Sequence, residues 1–305
     1  MKKLVILLSC ILVLSCNNSS NELNGEYITV SIKPQKYILG QIAGDRFKIN
    51  VLVPDGSGPE TYEPTARQMQ ELRHSKAYLS MGLMDFEKSI GPKLHDLYPD
   101  LDVVITSNNI NFLTGHNHEH HDSEVESDKH DHDHDHDAIE AIDPHIWLSL
   151  KAVKIQSDNI LNYLVNKFPD DSTIFVRNHN RFVNRLDSLD NILKEKFAKG
   201  AYSFIIYHPS LSYYAGDYGI EQIPIELEGK EPSPAYLKSL IDVAKERQLT
   251  TVFYSEQFDK KSAVTLADQL GISVTPFDPL AENVEENIIL ISNHIIESQH
   301  KVGAE

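Results

Sequence analysis

Cysteine is nearly missing from this chain: there are two, Cys10 and Cys16, both within the first sixteen of 305 residues. The remainder has no thiol for a disulfide or a thiolate metal ligand, so any ion it holds must be held by His, Asp or Glu. Basic residues are short as well, with 28 Lys and Arg against 45 Asp and Glu and a formal net charge of -17. Phosphate contacts need clustered Lys and Arg, which are not found, so the balance speaks against a nucleic-acid binder and for a cation partner. Long apolar runs are lacking too. The largely apolar run Leu4 to Leu14 is eleven residues long, against the roughly 18 to 20 needed to span a bilayer. The zincin pattern HExxH does not occur, and no other hydrolase motif emerges. With 41% hydrophobic and 24% charged residues the composition is globular, and the length suggests two units able to bury a core.

What is present at the amino terminus is an address. Lys2 and Lys3 precede the apolar run, which reads as a secretory signal. It ends in Val13, Leu14, Ser15, Cys16, which resembles the lipobox of bacterial lipoproteins, where the cysteine is acylated and becomes the new amino terminus. The resemblance implies a signal peptide over 1–15, lipidation at Cys16 and a polar tether over 16–25, with an ordinary signal peptide as the alternative.

One internal segment is low in complexity. From His116 to Asp137 there are eight histidines (His116, His118, His120, His121, His130, His132, His134, His136) and nine acidic residues against one lysine. It is too polar to bury a core of its own, so a disordered loop is expected. Imidazole and carboxylate in strict alternation from His130 to Asp137 point to contacts with divalent transition metals, of modest affinity because an unordered loop must be immobilised. The alternative is a solvated spacer.

Short apolar runs at 27–32, 47–53, 77–81, 103–106, 201–207, 251–254 and 272–277 lack clean alternation, as strands covered on both faces do. Helical patterns lie between them, with cap signals at Thr65/Gln68, Ser233-Pro234 and Asp259 and a stop at Gly271. Alternation of the two predicts an α/β fold with mostly parallel sheets. Phe182, Leu186, Leu189, Leu193 and Phe197 mark one face of a helix expected over 171–199, about 44 Å long and able to join two lobes as a rigid connector. The lobes are placed at 26–170 and 200–305.

Ligands of α/β sheets sit beyond the carboxyl ends of strands. There the chain places His208, Asp278 and Glu256, with Glu60 in the loop after 47–53 and His145 ahead of a helix. Each has a plainer reading, the histidines as packing residues and the carboxylates as caps; Asp278-Pro279 is itself a turn signal.

Taken together, the motifs Glu60-Thr61-Tyr62-Glu63-Pro64, Asp143-Pro144-His145-Ile146-Trp147, Tyr207-His208-Pro209, Tyr218-Gly219-Ile220, Glu228-Gly229-Lys230-Glu231-Pro232-Ser233-Pro234 and Phe277-Asp278-Pro279-Leu280 resemble the metal-binding family of ABC-transporter substrate-binding proteins, in family order over nearly the whole chain. The resemblance implies two α/β lobes joined by one long helix, a metal in the cleft between them, and Glu60, His145, His208 and Asp278 as its ligands, with Glu256 as a spare. Glu60 departs from the pattern, since the family usually has His there. Two imidazoles with two carboxylates are similar to manganese-binding members, whereas the His-rich loop resembles the zinc branch, and the Irving–Williams order favours zinc. The expectation is a zinc receptor that is exported, lipid-anchored and faces the periplasm or cell exterior, serving an ABC permease and its ATPase, with manganese or iron as the alternative cargo. The rivals are a secreted zinc hydrolase with His145 and His208 as ligands and Glu256 as base, and an adhesin that holds metal only for structure.

Overall fold

The apolar runs between Tyr27 and Ile105 become one parallel sheet: β1 (Tyr27–Val30), β2 (Lys48–Val51), β3 (Ser75–Ser80) and β4 (Asp102–Ile105), in the order β2-β1-β3-β4. Helices α1 (Lys33–Ala43), α2 (Ala66–Leu72) and α3 (Asp85–Leu97) are its crossovers. The computed structural model describes residues 26–114, 142–227, 230, 232–257 and 260–299. The leader 1–15, Cys16 and the tether 16–25, the His-rich segment 116–137, Glu228, Gly229, Glu231 and the Asp259 cap therefore lie outside the described residues.

Local chemistry starts these helices. Pro34 stands in the first turn of α1, where its missing N–H costs nothing, and the buried Gln35 accepts from the amides of Ser31 and Ile32. Thr65 and Gln68 form the expected reciprocal cap of α2, Gln68 N donating to Thr65 Oγ1 at 3.3 Å and Thr65 N to Gln68 Oε1 at 2.9 Å. At α3 the buried Glu87 carboxylate accepts from the amides of Met81, Leu83 and Met84, which offsets the cost of taking its charge out of water.

A 3₁₀ turn, Ile146–Leu148, leads into α4 (Leu150–Lys167) and then α5 (Ser172–Phe197), capped by a second 3₁₀ turn at Pro169–Asp171. The connector is 26 residues, about 39 Å at 1.5 Å per residue. Near its start Phe175 and Phe182 meet Phe47 and Tyr37 of the first lobe, and at its end Phe197 meets Tyr202, Tyr214 and Tyr218 of the second. One stiff rod is thus packed into both lobes.

The second sheet repeats the first: β5 (Ser203–Ile206), α6 (Ser212–Tyr218), β6 (Glu221–Pro224), α7 (Pro234–Glu246), β7 (Thr251–Ser255), α8 (Lys260–Leu270), β8 (Ser273–Phe277) and a closing α9 (Val284–Gln299), all strands parallel in the order β6-β5-β7-β8. Seven of the eight described strands fall within two residues of the expected runs, as burial on both faces requires. The exception is β6, whose Glu-Gln-Ile-Pro sequence carries no strand signal; an edge position tolerates Pro224 because its absent N–H is not needed by a further strand. Ser233 caps α7 as expected, and Gly271, at φ +72, ends α8 in the left-handed region that favours glycine.

One apolar cluster runs from Ile28 and Leu79 through Trp147, Ile160 and Phe182 to Phe204, Tyr214 and Ile291, so the lobes share a core. A smaller cluster of Ile205, Leu240, Val252 and Leu270 fills the far face of the second sheet. Polar ties reinforce the join: Trp147 Nε1 donates to Pro279 O at 2.7 Å, Tyr37 OH to Glu285 at 2.6 Å, and Lys36 pairs with Glu282 at 2.8 Å. A large aromatic at such a joint is worth about 3–5 kcal/mol against alanine. Wide separation of the lobes would expose this core, so only small lobe movements are open to the fold.

Candidate metal centre

Three loops from the carboxyl ends of the two sheets meet in the cleft. Glu60 belongs to the loop between β2 and α2, where Gly56 at φ +77 makes the turn; His145 immediately precedes the 3₁₀ turn before α4; His208 lies two residues past β5. Their ligand atoms all lie within 4.8 Å of one another. Glu60 Oε1 is 3.3 Å from His145 Nε2 and 3.0 Å from His208 Nε2, and the two rings stand 5.4 Å apart. Tetrahedral zinc with bonds of about 2.0–2.2 Å sets ligand atoms roughly 3.4 Å apart, close to both spacings.

Each imidazole is aimed by a carboxylate on its other nitrogen. Asp143 Oδ1 accepts from the His145 amide at 2.9 Å and lies 2.8 Å from His145 Nδ1, while Glu226 Oε2 lies 3.1 Å from His208 Nδ1. With Nδ1 held by a carboxylate, Nε2 is the nitrogen that faces Glu60, and the neutral ring with its lone pair on Nε2 is the tautomer a metal needs. The sequence reading quoted Asp143 only as part of a motif and missed Glu226. No spacing connects Glu226 to His208; it arrives because Glu226 N donates to Tyr207 O at 2.9 Å, extending the ladder between β5 and the unanticipated β6.

The electrostatics are those of a cation site. Burial pushes the Glu60 carboxyl up, but the hydrogen bond from His208 and the charges of both imidazoles outweigh it and hold Glu60 below the ordinary range. Asp143 is lowered in the same way, burial being outweighed by its bonds to His145. Burial acts to lower His208, yet Glu226 and Glu60 together raise it to about 9. At neutral pH this favours the imidazolium, a positive charge held between the carboxylates of Glu60 and Glu226. The side chain of Glu60 is 34% exposed against 6% and 14% for His145 and His208, so the centre opens to solvent past Glu60.

Of the four ligands expected, the structure brings three together. Asp278 stands apart from this group: its Oδ1 accepts from Gln257 Nε2 at 2.6 Å and from Leu280 N at 2.8 Å, and its carbonyl from Asn287. The bond from Leu280 N, two residues on, is of the kind an Asp-Pro turn makes. Glu256 is exposed, outside the group, and gives its amide to Phe277 O, so it does not stand beside the histidines in the place the hydrolase reading gave it. Among the described residues, no helix is long and apolar enough to cross a membrane.

Comparison with known proteins places the whole fold in a family. The model of the family "zinc-uptake complex component A periplasmic" matches residues 28–296. The high-affinity zinc uptake system protein ZnuA of Bacillus subtilis strain 168 is 28% identical over 284 residues, covering 88% of this chain and 85% of that protein. The zinc-binding lipoprotein AdcA of Streptococcus pneumoniae strain R6 is 26% identical over 304 residues, 97% of this chain but 58% of the longer relative. A crystal structure of ZnuA superposes with a TM-score of 0.78 at 35% identity, covering 90% of this chain and all of that one.

Proposed function

Because the chain belongs to the family of the periplasmic component A of the zinc-uptake complex, we propose that it is the receptor that captures zinc outside the cytoplasmic membrane and delivers it to an ABC-type importer. The observation that carries this reading is the meeting of Glu60, His145 and His208 from both lobes, with each histidine aimed by a carboxylate. The protein binds, closes slightly and releases; as a binding component it performs no chemistry on its cargo.

In this reading Glu60, His145 and His208 ligate the ion and Asp278 stays outside its coordination, leaving the fourth place to water. Three protein donors suit four-coordinate zinc better than manganese, which favours six oxygen-rich ligands, and the Irving–Williams order points the same way. Charge also favours a cation: the carboxylates of Glu60, Asp143 and Glu226 around two neutral imidazoles leave a negative charge that a divalent ion largely offsets.

The protein is exported, and Cys16 is its lipid anchor, with residues 16–25 holding the lobes off the membrane. The permease and its ATPase are the partners. The eight histidines from His116 to His136 add weak secondary sites that concentrate zinc near the cleft.

The test is calorimetric titration of the metal-free chain with zinc and with manganese, beside a chain lacking 116–137. One tight zinc site that survives the deletion supports the receptor; tight manganese with weak zinc reverses the cargo, and no tight site removes the central claim.

A further inference from the structure

The loop that carries Glu60 has few ties of its own. It runs fourteen residues from the end of β2 to the start of α2, and contains Pro54, Gly56, Gly58, Pro59 and Pro64. Leu52 and Val53 still extend the sheet, donating to Val30 and Ser31, and Ser57 N turns back to Pro54 O. Beyond that, among the described residues, no backbone-to-backbone hydrogen bond involves residues 58–64. A carboxylate on so loosely tied a stretch would have to be ordered by the ion it binds, at a cost to affinity.

One side chain closes the loop instead. Gln68, in the first turn of α2, donates from Nε2 to Leu52 O at 2.6 Å, where the chain leaves β2. Its Oε1 accepts from Tyr62 OH at 2.6 Å and from Thr65 N and Thr65 Oγ1, both at 2.9 Å. The amide thus gathers the loop's entrance, its exit and the residue two places beyond Glu60. The Tyr62 ring is held edge-on against Phe86, centroids 5.9 Å apart, and Lys33 pairs with Asp55 on the other flank. A helix cap alone needs only the Thr65 contacts; those to Leu52 and Tyr62 serve the loop.

We propose that Gln68 is a positioning residue of the metal centre: it fixes Glu60 at the meeting point of His145 and His208 before the ion arrives. The inference rests on Glu60 being a ligand. It assigns to Gln68 an effect on zinc that passes through Glu60 and no other group.

A double-mutant cycle separates this from a structural role. Zinc affinity and release rate are measured by chelator competition for the chain, Gln68→Met, Glu60→Ala and the double variant, after thermal unfolding confirms that each is folded. Gln68→Met is expected to weaken zinc about tenfold, the scale seen when a group supporting a ligand is lost, chiefly through faster release. In the Glu60→Ala background the same change should move affinity by less than about twofold. Tyr62→Phe, which keeps the ring and removes the hydroxyl, should weaken zinc in the same Glu60-dependent manner and carries the test if Gln68→Met does not fold. Equal losses in both backgrounds, or no loss in either, overturn the positioning role. If Glu60→Ala alone leaves zinc affinity unchanged, the ligand assignment falls first and this inference with it.

Discussion

His208 Nε2 lies 3.0 Å from Glu60 Oε1, although 148 residues separate them and they belong to opposite lobes. The pair is a charge-assisted hydrogen bond across the cleft, with Glu226 bracing the far side of the ring at 3.1 Å. An arriving cation replaces one proton in an arrangement already built around positive charge. Little rearrangement is needed, which agrees with two lobes that share a core.

Glu60 should therefore matter far more than Asp278. Glu60→Gln removes the charge and a donor atom of the ion's shell, and zinc affinity should fall by roughly 100-fold or more, beyond the ~10-fold to 100-fold typical of supporting groups. Asp278→Asn keeps the shape of a turn residue whose carboxylate accepts from Gln257 and Leu280, and should change affinity by less than about threefold. Chelator competition on both variants checks this; a loss at Asp278 equal to that at Glu60 would place Asp278 in the ion's shell.

Zinc uptake by the site should expel a proton. His208 is raised to about 9 by Glu226 and Glu60 against the opposing effect of burial, and a metal binds only the neutral ring. Apparent affinity should thus climb about tenfold per pH unit toward pH 9 and level off above it, with close to one proton released per zinc near neutrality. Titrations in buffers of different ionisation enthalpy measure the proton count. The metal-free protein should show the converse: because the folded value lies above the ordinary 6.5, the stability from charged His208 is full below about pH 6.5 and lost as pH rises through about 9, a change on the order of 3 kcal/mol. Glu226→Gln should move both profiles to lower pH.

Removing 116–137 should abolish the weak zinc sites and leave one tight one. The three residues grouped in the cleft are none of the eight histidines of that segment. Zinc stoichiometry by equilibrium dialysis before and after deletion decides it; loss of the tight site would move the principal ligands into the segment.

The sheets were legible because strands buried on both faces become uninterrupted apolar runs, as at Phe204-Ile205-Ile206, and the connector because Phe182, Leu186, Leu193 and Phe197 keep helical spacing. Glu60, His145 and His208 could be named from motifs and from their place after strands. Glu226 could not, since its nearness to His208 depends on an edge strand, Glu221–Pro224, whose sequence signals nothing. The place of Asp278 was equally hidden: one short sequence, Asp-Pro, serves a ligand and a turn alike, and only Gln257 and Leu280 show which bonds it makes here. Nor does any residue pattern reveal that Gln68, read as half of a helix cap, reaches back to Leu52.

The sole tryptophan offers a direct reading of how far the lobes move. Trp147 is fully buried, its ring centroid is 5.1 Å from that of His145, and its Nε1 donates to Pro279 O across the lobe junction. Zinc on His145 changes the charge beside the indole, so emission intensity should change in proportion to zinc and saturate at one equivalent. The emission maximum should stay where a dry indole emits, because breaking the Pro279 bond would leave a buried carbonyl unsatisfied at about 1–3 kcal/mol and uncover the shared core. Titration of the chain lacking 116–137 removes binding by that segment from the signal. A shift of the maximum to longer wavelength on either loading or removing zinc would mean that water reaches Trp147, and hence that the lobes part at the junction instead of adjusting around it.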